Sequence, residues 1–181
     1  MAAIPATLVS VEEFLAMPEQ DGLRSELIEG EVFTMSRGGR NHEIVKANAN
    51  ELLVRFALSN RAYRVFPESM YRVSQSELQP DVGLVRLDRL TADSTAGLMT
   101  GAPDLAVEVV SSEPASILER KVKLYLTHGS HAVWAVFPDE RIVRRYDRSG
   151  ASQRFEEGQT ISEPEITPGF EAAVSAFFEG L

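Results

Sequence analysis

Glu108 stands in the run Leu105-Ala106-Val107-Glu108-Val109-Val110, where every neighbour is apolar. A carboxylate in the middle of a strand covered on both faces bears a heavy desolvation cost unless a cation or a proton neutralises it. Asp81, behind Pro80 at the mouth of the preceding predicted strand, offers a second carboxylate. Two such acids on adjacent strands can bind one Mg2+ in its all-oxygen octahedron, with Mn2+ as a substitute, leaving positions for water and phosphate oxygens. Lys121 adds a cation: its helical neighbours Ile117, Leu118, Leu124 and Tyr125 are apolar, so it lies within the buried stripe, whereas Arg120 and Lys123 lie off it. An inward lysine needs an anion, and a helix following the Glu108 strand would return across the sheet toward the carboxylates. The plainer alternatives are a strand-capping Asp81, a Glu108 paired with an arginine, and a Lys121 whose stem packs while its head reaches water.

Glu26, Glu29 and Glu31 form a further acidic cluster. Alternation places Glu26 opposite the other two, on the face of Ile28, which makes it the acid expected to complete a metal shell and leaves Glu29 and Glu31 as a solvated edge. His42 precedes the main helix, where it would contact phosphate, orient a water, or simply be an exposed capping neighbour. His128 and His131 straddle Gly129 at a helix end, a place for a dipole role rather than metal binding. The chain has no His-Glu-x-x-His, phosphate loop or nucleophile elbow.

The elements that must position these residues follow from periodicity and caps. Ser10 and Glu13 form a capping-box pattern that opens a short helix ending near Met17, before Pro18. Ser25 to Met35 reads as a strand or hairpin around Gly30. Asn41 would cap a helix to about Ser59, in which Ile44, Val45, Ala49, Leu52, Leu53 and Phe56 make one stripe. Tyr63–Val73, Asp81–Leu87 and Leu105–Ser111 read as strands, rich in β-branched and aromatic residues. A second capping-box pattern, Ser116 to Glu119, opens a helix to about His128; Ala132–Phe137 is a doubly apolar strand, and Ile142–Tyr146 with Ser152–Phe155 an appended hairpin. The expected fold is α/β (α+β): a mixed central sheet flanked by helices, with additional antiparallel strands, in a single domain over 1–181.

Composition narrows the function classes. The chain has no cysteine, which excludes disulfides, thiolate catalysis and Cys-ligated metals. No run of 18 apolar residues spans a membrane, and the start, with Glu12 and Glu13, lacks the pattern of a signal peptide, so the cytoplasm is the expected address. A net charge of −9 disfavours unspecific coating of nucleic acid. Yet residues 36–75 and 116–150 are basic, with 7 Lys or Arg each against 3 and 4 acids, and these two stretches would meet around an acidic middle or lie scattered on the surface.

Glu26-Leu27-Ile28-Glu29-Gly30-Glu31, Met35, His42, Pro80-Asp81-Val82, Val107-Glu108-Val109-Val110-Ser111, Lys121 with Tyr125, and Gly129 with Trp134 and Pro138 together resemble the Uma-two-type restriction endonuclease family. The resemblance runs from about Ser10 to the Phe170 region, and that family is similar to the PD-(D/E)XK nucleases. It implies a restriction-endonuclease-like core, Asp81 and Glu108 as metal ligands and Lys121 as catalytic lysine. In the simplest superfamily pattern the lysine follows the glutamate by two residues; that position is Val110 here, so the resemblance requires a lysine relocated to the following helix. Ile117, Ala132 and Val133 stand where the family commonly has an acid, a Glu and a Tyr. The expected activity is Mg2+-dependent hydrolysis of DNA phosphodiester bonds, in a homodimer suited to cutting both strands. The competing readings are a nuclease-fold module that binds nucleic acid or protein with little catalysis, and a carboxylate-pair glycosidase, which would need no inward lysine.

Overall fold

The apolar runs pair with one another, and the two longer amphipathic helices cover opposite faces of the sheet they make. The computed structural model describes residues 8–36, 38–90, 99–111 and 113–181. In chain order it contains α1 (Val11–Leu15), the hairpin β1 (Leu23–Ile28) and β2 (Glu31–Ser36), and α2 (Arg40–Ser59). Then come β3 (Tyr63–Pro67), β4 (Tyr71–Val73), β5 (Ser76–Leu78), β6 (Val82–Arg86), β7 (Met99–Thr100), β8 (Leu105–Val109) and α3 (Ala115–Thr127). The chain closes with β9 (Ala132–Phe137), β10 (Ile142–Asp147), β11 (Ser152–Glu156), β12 (Thr160–Ser162), β13 (Glu171–Ala173) and a 3-10 turn, Val174–Phe178.

The central sheet has the order β11-β10-β9-β8-β6-β3, antiparallel except for the parallel pair β8 and β9, whose crossover is α3. These two strands are interior and buried along almost their whole length, as their doubly apolar sequences require. A second sheet, β2-β1-β5-β4-β7, lies on the α3 side. Strand alternation separates two cores. Leu105, Val107, Trp134 and Val136 pack with Val45, Ala49 and Leu53 of α2, and with Phe170 and Phe177 from the C-terminal segment. Ala106, Val133 and Ala135 pack with Leu118, Val122 and Tyr125 of α3, and with Tyr71, Val73 and Leu78 of the second sheet. The sheets approach closely at Gly83, where a Cβ would lie 2.3 Å from the Tyr71 hydroxyl. Among the described residues no helix is long and apolar enough to cross a membrane.

The mixed α+β architecture is the expected one, and the capping box at Ser10 and Glu13 forms. Several local expectations are corrected. α2 starts at Arg40 with Gly39 as its N-cap and no side-chain cap, so Asn41 lies inside the helix. α3 starts one residue before Ser116, because Pro114 presets the N-cap conformation and its carbonyl accepts from Ile117 and Leu118. The stretch Tyr63–Val73 breaks after Pro67, which has no N–H to extend the ladder; Glu68 turns at φ 46°, and β3 and β4 enter different sheets. The first seven residues, part of the segment read as lacking a leader, lie outside the described residues.

Candidate functional site

Alternation along β8 turns Glu108 toward the layer of α3, the same face as Ala106. β6 and β8 pair with Val82 opposite Val107, and continuing that register sets Asp81 opposite Glu108 on one face. Directly opposed antiparallel residues hold their Cβ atoms about 4.5–5.5 Å apart. The two sequence-predicted acids are therefore neighbours, 1% and 2% exposed.

Each is held by cations from other elements. Asp81 Oδ2 accepts the Val109 N–H at 2.7 Å, and Oδ1 accepts from Arg24 Nη1 at 3.2 Å and lies 3.4 Å from His42 Nε2. Burial pushes the Asp81 carboxyl up, but the His42 contact, the Arg24 guanidinium and the Val109 amide outweigh it and hold its pKa down to about 2. Glu108 Oε1 accepts from the Tyr125 hydroxyl at 2.7 Å and Oε2 from Lys121 Nζ at 2.8 Å. Burial, together with the negative neighbours Glu26, Asp81 and Glu113, pushes Glu108 up to about 8 against the pull of Lys121.

Lys121 is the inward lysine that helical phase required: it is fully buried, whereas Lys123 is exposed. Its ammonium lies 3.0 Å from Glu26 Oε2 and 3.8 Å from Glu113 Oε1 as well as against Glu108. Burial alone would depress its pKa; the three carboxylates reverse that and keep it charged. Glu26 joins the cluster from β1, fully buried, with Oε1 accepting the Gln79 N–H at 2.6 Å. Glu29 and Glu31 do not join it, since they bind Arg120 at 2.9 and 2.8 Å on a more exposed edge. His42 is a buried side chain of the first turn of α2, not an exposed neighbour. Gly38 makes its room, because a Cβ there would lie 2.2 Å from the imidazole Cγ. His128 Nδ1 is 2.9 Å from the Leu124 carbonyl at the end of α3, and His131 lies 3.9 Å from Asp104, so neither joins Asp81 and Glu108.

Two participants escaped the sequence reading. Arg24 sits among charged and polar neighbours on β1, and its contact with Asp81 spans 57 residues, so no local pattern announces it. Glu113 lies between β8 and α3, in a segment without periodicity. Both line a cleft of about 730 Å3 that also reaches Glu108, Ser111 and His42. The expected meeting of two basic stretches does not line it: of their basic residues, only Lys46 does so among the described residues, and Lys46 is shared by Glu43 at 2.6 Å and Glu68 at 2.8 Å. Arg37 of the first stretch lies outside the described residues.

The donor chemistry suits a hard divalent cation: four carboxylates, with Glu26 Oε2 and Glu113 Oε1 buried and lacking a well-directed hydrogen bond. Among the described residues no three His, Asp or Glu side chains converge as a ready-made metal cage; Lys121 lies against Glu26, Glu108 and Glu113, and Arg24 and His42 against Asp81.

Residues 11–175 match the Uma2 family, described as "Putative restriction endonuclease". The chain belongs to that family. A relative from Synechocystis sp., uncharacterized protein sll1609, is 27% identical over 118 residues, 64% of this chain and 66% of its own length, so the chain spans just under two thirds of it. A crystal structure from Anabaena variabilis, described as a putative nuclease belonging to DUF820, superposes with a TM-score of 0.85 at 21% identity, covering 94% of this chain and 97% of that one. The likeness places the Uma2 chain in the same fold.

Proposed function

We propose that this Uma2 protein is a metal-dependent nuclease that hydrolyses phosphodiester bonds in DNA. The observation that carries the reading is that buried Asp81, bound at 2.7 Å to the Val109 N–H of β8, stands beside buried Glu108, whose carboxylate has the Lys121 ammonium at 2.8 Å. Mg2+, or Mn2+ in its place, held by Asp81 and Glu108, would supply Lewis acidity toward a phosphate oxygen and a water. Asp81 is ready as an anion because Arg24, His42 and the Val109 amide hold it deprotonated. Lys121 donates into the same face, where it can hold a water by hydrogen bond and offset charge developing on the phosphate. Glu26, itself held by the Gln79 amide, fixes that ammonium through its Oε2 at 3.0 Å, and the Tyr125 hydroxyl fixes the Glu108 carboxylate. A two-fold pair would bring one such site to each strand.

The internal pairing of the acids and the acidic cleft rim, with Glu19, Asp21, Glu43 and Glu68, favour a second reading, a nuclease-fold module that binds without cutting. Incubation of supercoiled and linear DNA with the chain and Mg2+ or Mn2+ separates the two. Nicking or cleavage by the parent, lost in Asp81→Asn and Glu108→Gln, supports hydrolysis; no cleavage under either metal, with DNA still bound, overturns it in favour of the binding module.

A further inference from the structure

The cluster holds four carboxylates, Glu26, Asp81, Glu108 and Glu113, but its cations are unevenly shared. Asp81 has Arg24 and His42, and Glu108 has Lys121 and the Tyr125 hydroxyl. Glu26 has the Gln79 amide and Lys121 at 3.0 Å. Glu113 is left with the same ammonium at 3.8 Å, too far for a hydrogen bond, although its side chain is only 9% exposed and its Oε1 has no donor among the described residues. A desolvated carboxylate oxygen in that condition is an unmet demand for a cation. Its surroundings also differ from those of Glu26. Glu26 is sealed within β1 and does not line the cleft, whereas Glu113 does, next to Glu108 and Ser111, and its backbone belongs to neither strand nor helix. On the face of α3 that carries Lys121 the position one turn earlier is Ile117, packed in the apolar core, and Glu119 points to the exposed side.

We infer that Glu113 is the third carboxylate ligand of the divalent ion held by Asp81 and Glu108, and that Glu26 is not a ligand but the residue that positions Lys121. The inference rests on the proposed metal site and departs from the expectation that Glu26 completes the shell. An acid on the segment leading into α3 can turn toward an ion without unpacking a strand, while moving Glu26 would break its bond to the Gln79 amide and strip Lys121 of a close partner.

Titration with Mn2+ followed by the electron paramagnetic resonance of the free ion, with no DNA present, tests it independently of activity. Asp81→Asn reports on the site as a whole, and thermal unfolding confirms that each variant is folded. The expected result is that Asp81→Asn abolishes the tight binding, that Glu113→Gln and Glu113→Ala each raise the Kd about tenfold or more, on the scale seen when a metal's supporting groups are removed, and that Glu26→Gln changes it less than about threefold. If Asp81→Asn removes binding but both Glu113 variants bind as the parent does, or if Glu26→Gln is the variant that weakens it, the assignment of Glu113 is overturned while the metal site stands. If the parent binds no Mn2+, or Asp81→Asn binds it normally, the metal site and this inference fall together.

Discussion

Lys121→Met removes the one ammonium shared by three buried carboxylates while keeping much of the stem that packs among Leu118, Val122 and Tyr125. The contacts to Glu108, Glu26 and Glu113 are 2.8, 3.0 and 3.8 Å. At an effective dielectric of about 20 each is worth roughly 4–6 kcal/mol. The desolvation of the lysine and proton uptake by the stranded acids offset most of this, leaving the roughly 3–5 kcal/mol expected when one partner of a buried ion pair is deleted. Urea unfolding at pH 8, followed by circular dichroism, measures the loss. Because the cost lies in uncompensated negative charge, Glu26→Gln added to Lys121→Met restores part of it, about 1–2 kcal/mol, a non-additivity that the double-mutant cycle isolates. Lys123→Met, at an exposed position on another helical face, stays within about 0.5 kcal/mol of the parent. A Lys121→Met variant within 1 kcal/mol of the parent at pH 8, or a double variant less stable than the single one, refutes the account of the cluster.

Under conditions where it remains folded, Lys121→Met lowers Mg2+-dependent DNA cleavage about a hundredfold, the scale of losing one preorganised charge near a developing anion, and a plasmid-nicking time course checks this. Gly38→Ala drives a methyl into the His42 ring, so it weakens cleavage and unfolds at lower urea than the parent; unchanged unfolding and cleavage would show that the ring has room elsewhere. DNA binding at low salt, read by fluorescence anisotropy, is weak in EDTA and strengthens with Ca2+, because the cleft is rimmed by acids; equal binding in both would place the DNA on another surface. Burial, and then Arg148, Arg89 and Arg86, lower the pKa of His131 against the pull of Asp104, so the fold prefers the neutral ring. Its stabilising preference is full above the unfolded value near 6.5 and is lost as pH falls through that value to the lower folded one, so His131→Asn flattens the slope of stability with pH in that window.

The sequence was most legible where one residue broke a strong pattern. Glu108 among apolar neighbours and Lys121 within an apolar helical stripe each demanded a partner, and each is the other's partner at 2.8 Å. The separation of Glu26 from Glu29 and Glu31 came out as expected but not through alternation: Glu26, Leu27 and Ile28 are all buried and Glu31 pairs with Ile28, so it is the turn at Glu29 (φ 51°) and Gly30 (φ 85°) that carries the other two acids to the edge. The polar strand β5, Ser76–Leu78, was not legible: Ser76 and Glu77 look like a solvated loop but are buried within the second sheet, between β1 and β4, with Glu77 held by Arg72 at 2.8 Å. Arg24 and Glu113 were missed for a different reason. Their contacts are tertiary and depend on how β1 and the segment before α3 are laid over β8, which no local period encodes. The C-terminal strands β12 and β13 are three residues each, too short for alternation to register, yet the segment around them carries Phe170 and Phe177 onto Trp134.

The simplest superfamily pattern would place the lysine at residue 110, two after the glutamate, whereas here it stands on α3 at residue 121. Residues 108 and 110 point to the same side of β8, and Val110 does pack in the core on the α3 side. Only four residues, 111–114, separate Val110 from the first residue of α3, so the helix turns back at once over the face that Glu108 presents. A side chain about two turns into that helix descends onto the strand from above, and the lysine stem is long enough for Nζ to reach Glu108 Oε2. A lysine at 110 would approach the same carboxylate from the side. The two placements thus deliver an ammonium to one face of one strand by different routes, and what must be preserved is the face and the reach, not the spacing in sequence. The helical route differs in one physical respect: the ammonium is carried by an element packed over the sheet, so it can be flanked by Glu26 from β1 and Glu113 from the preceding segment as well as by Glu108, and its position is set by three carboxylates instead of one.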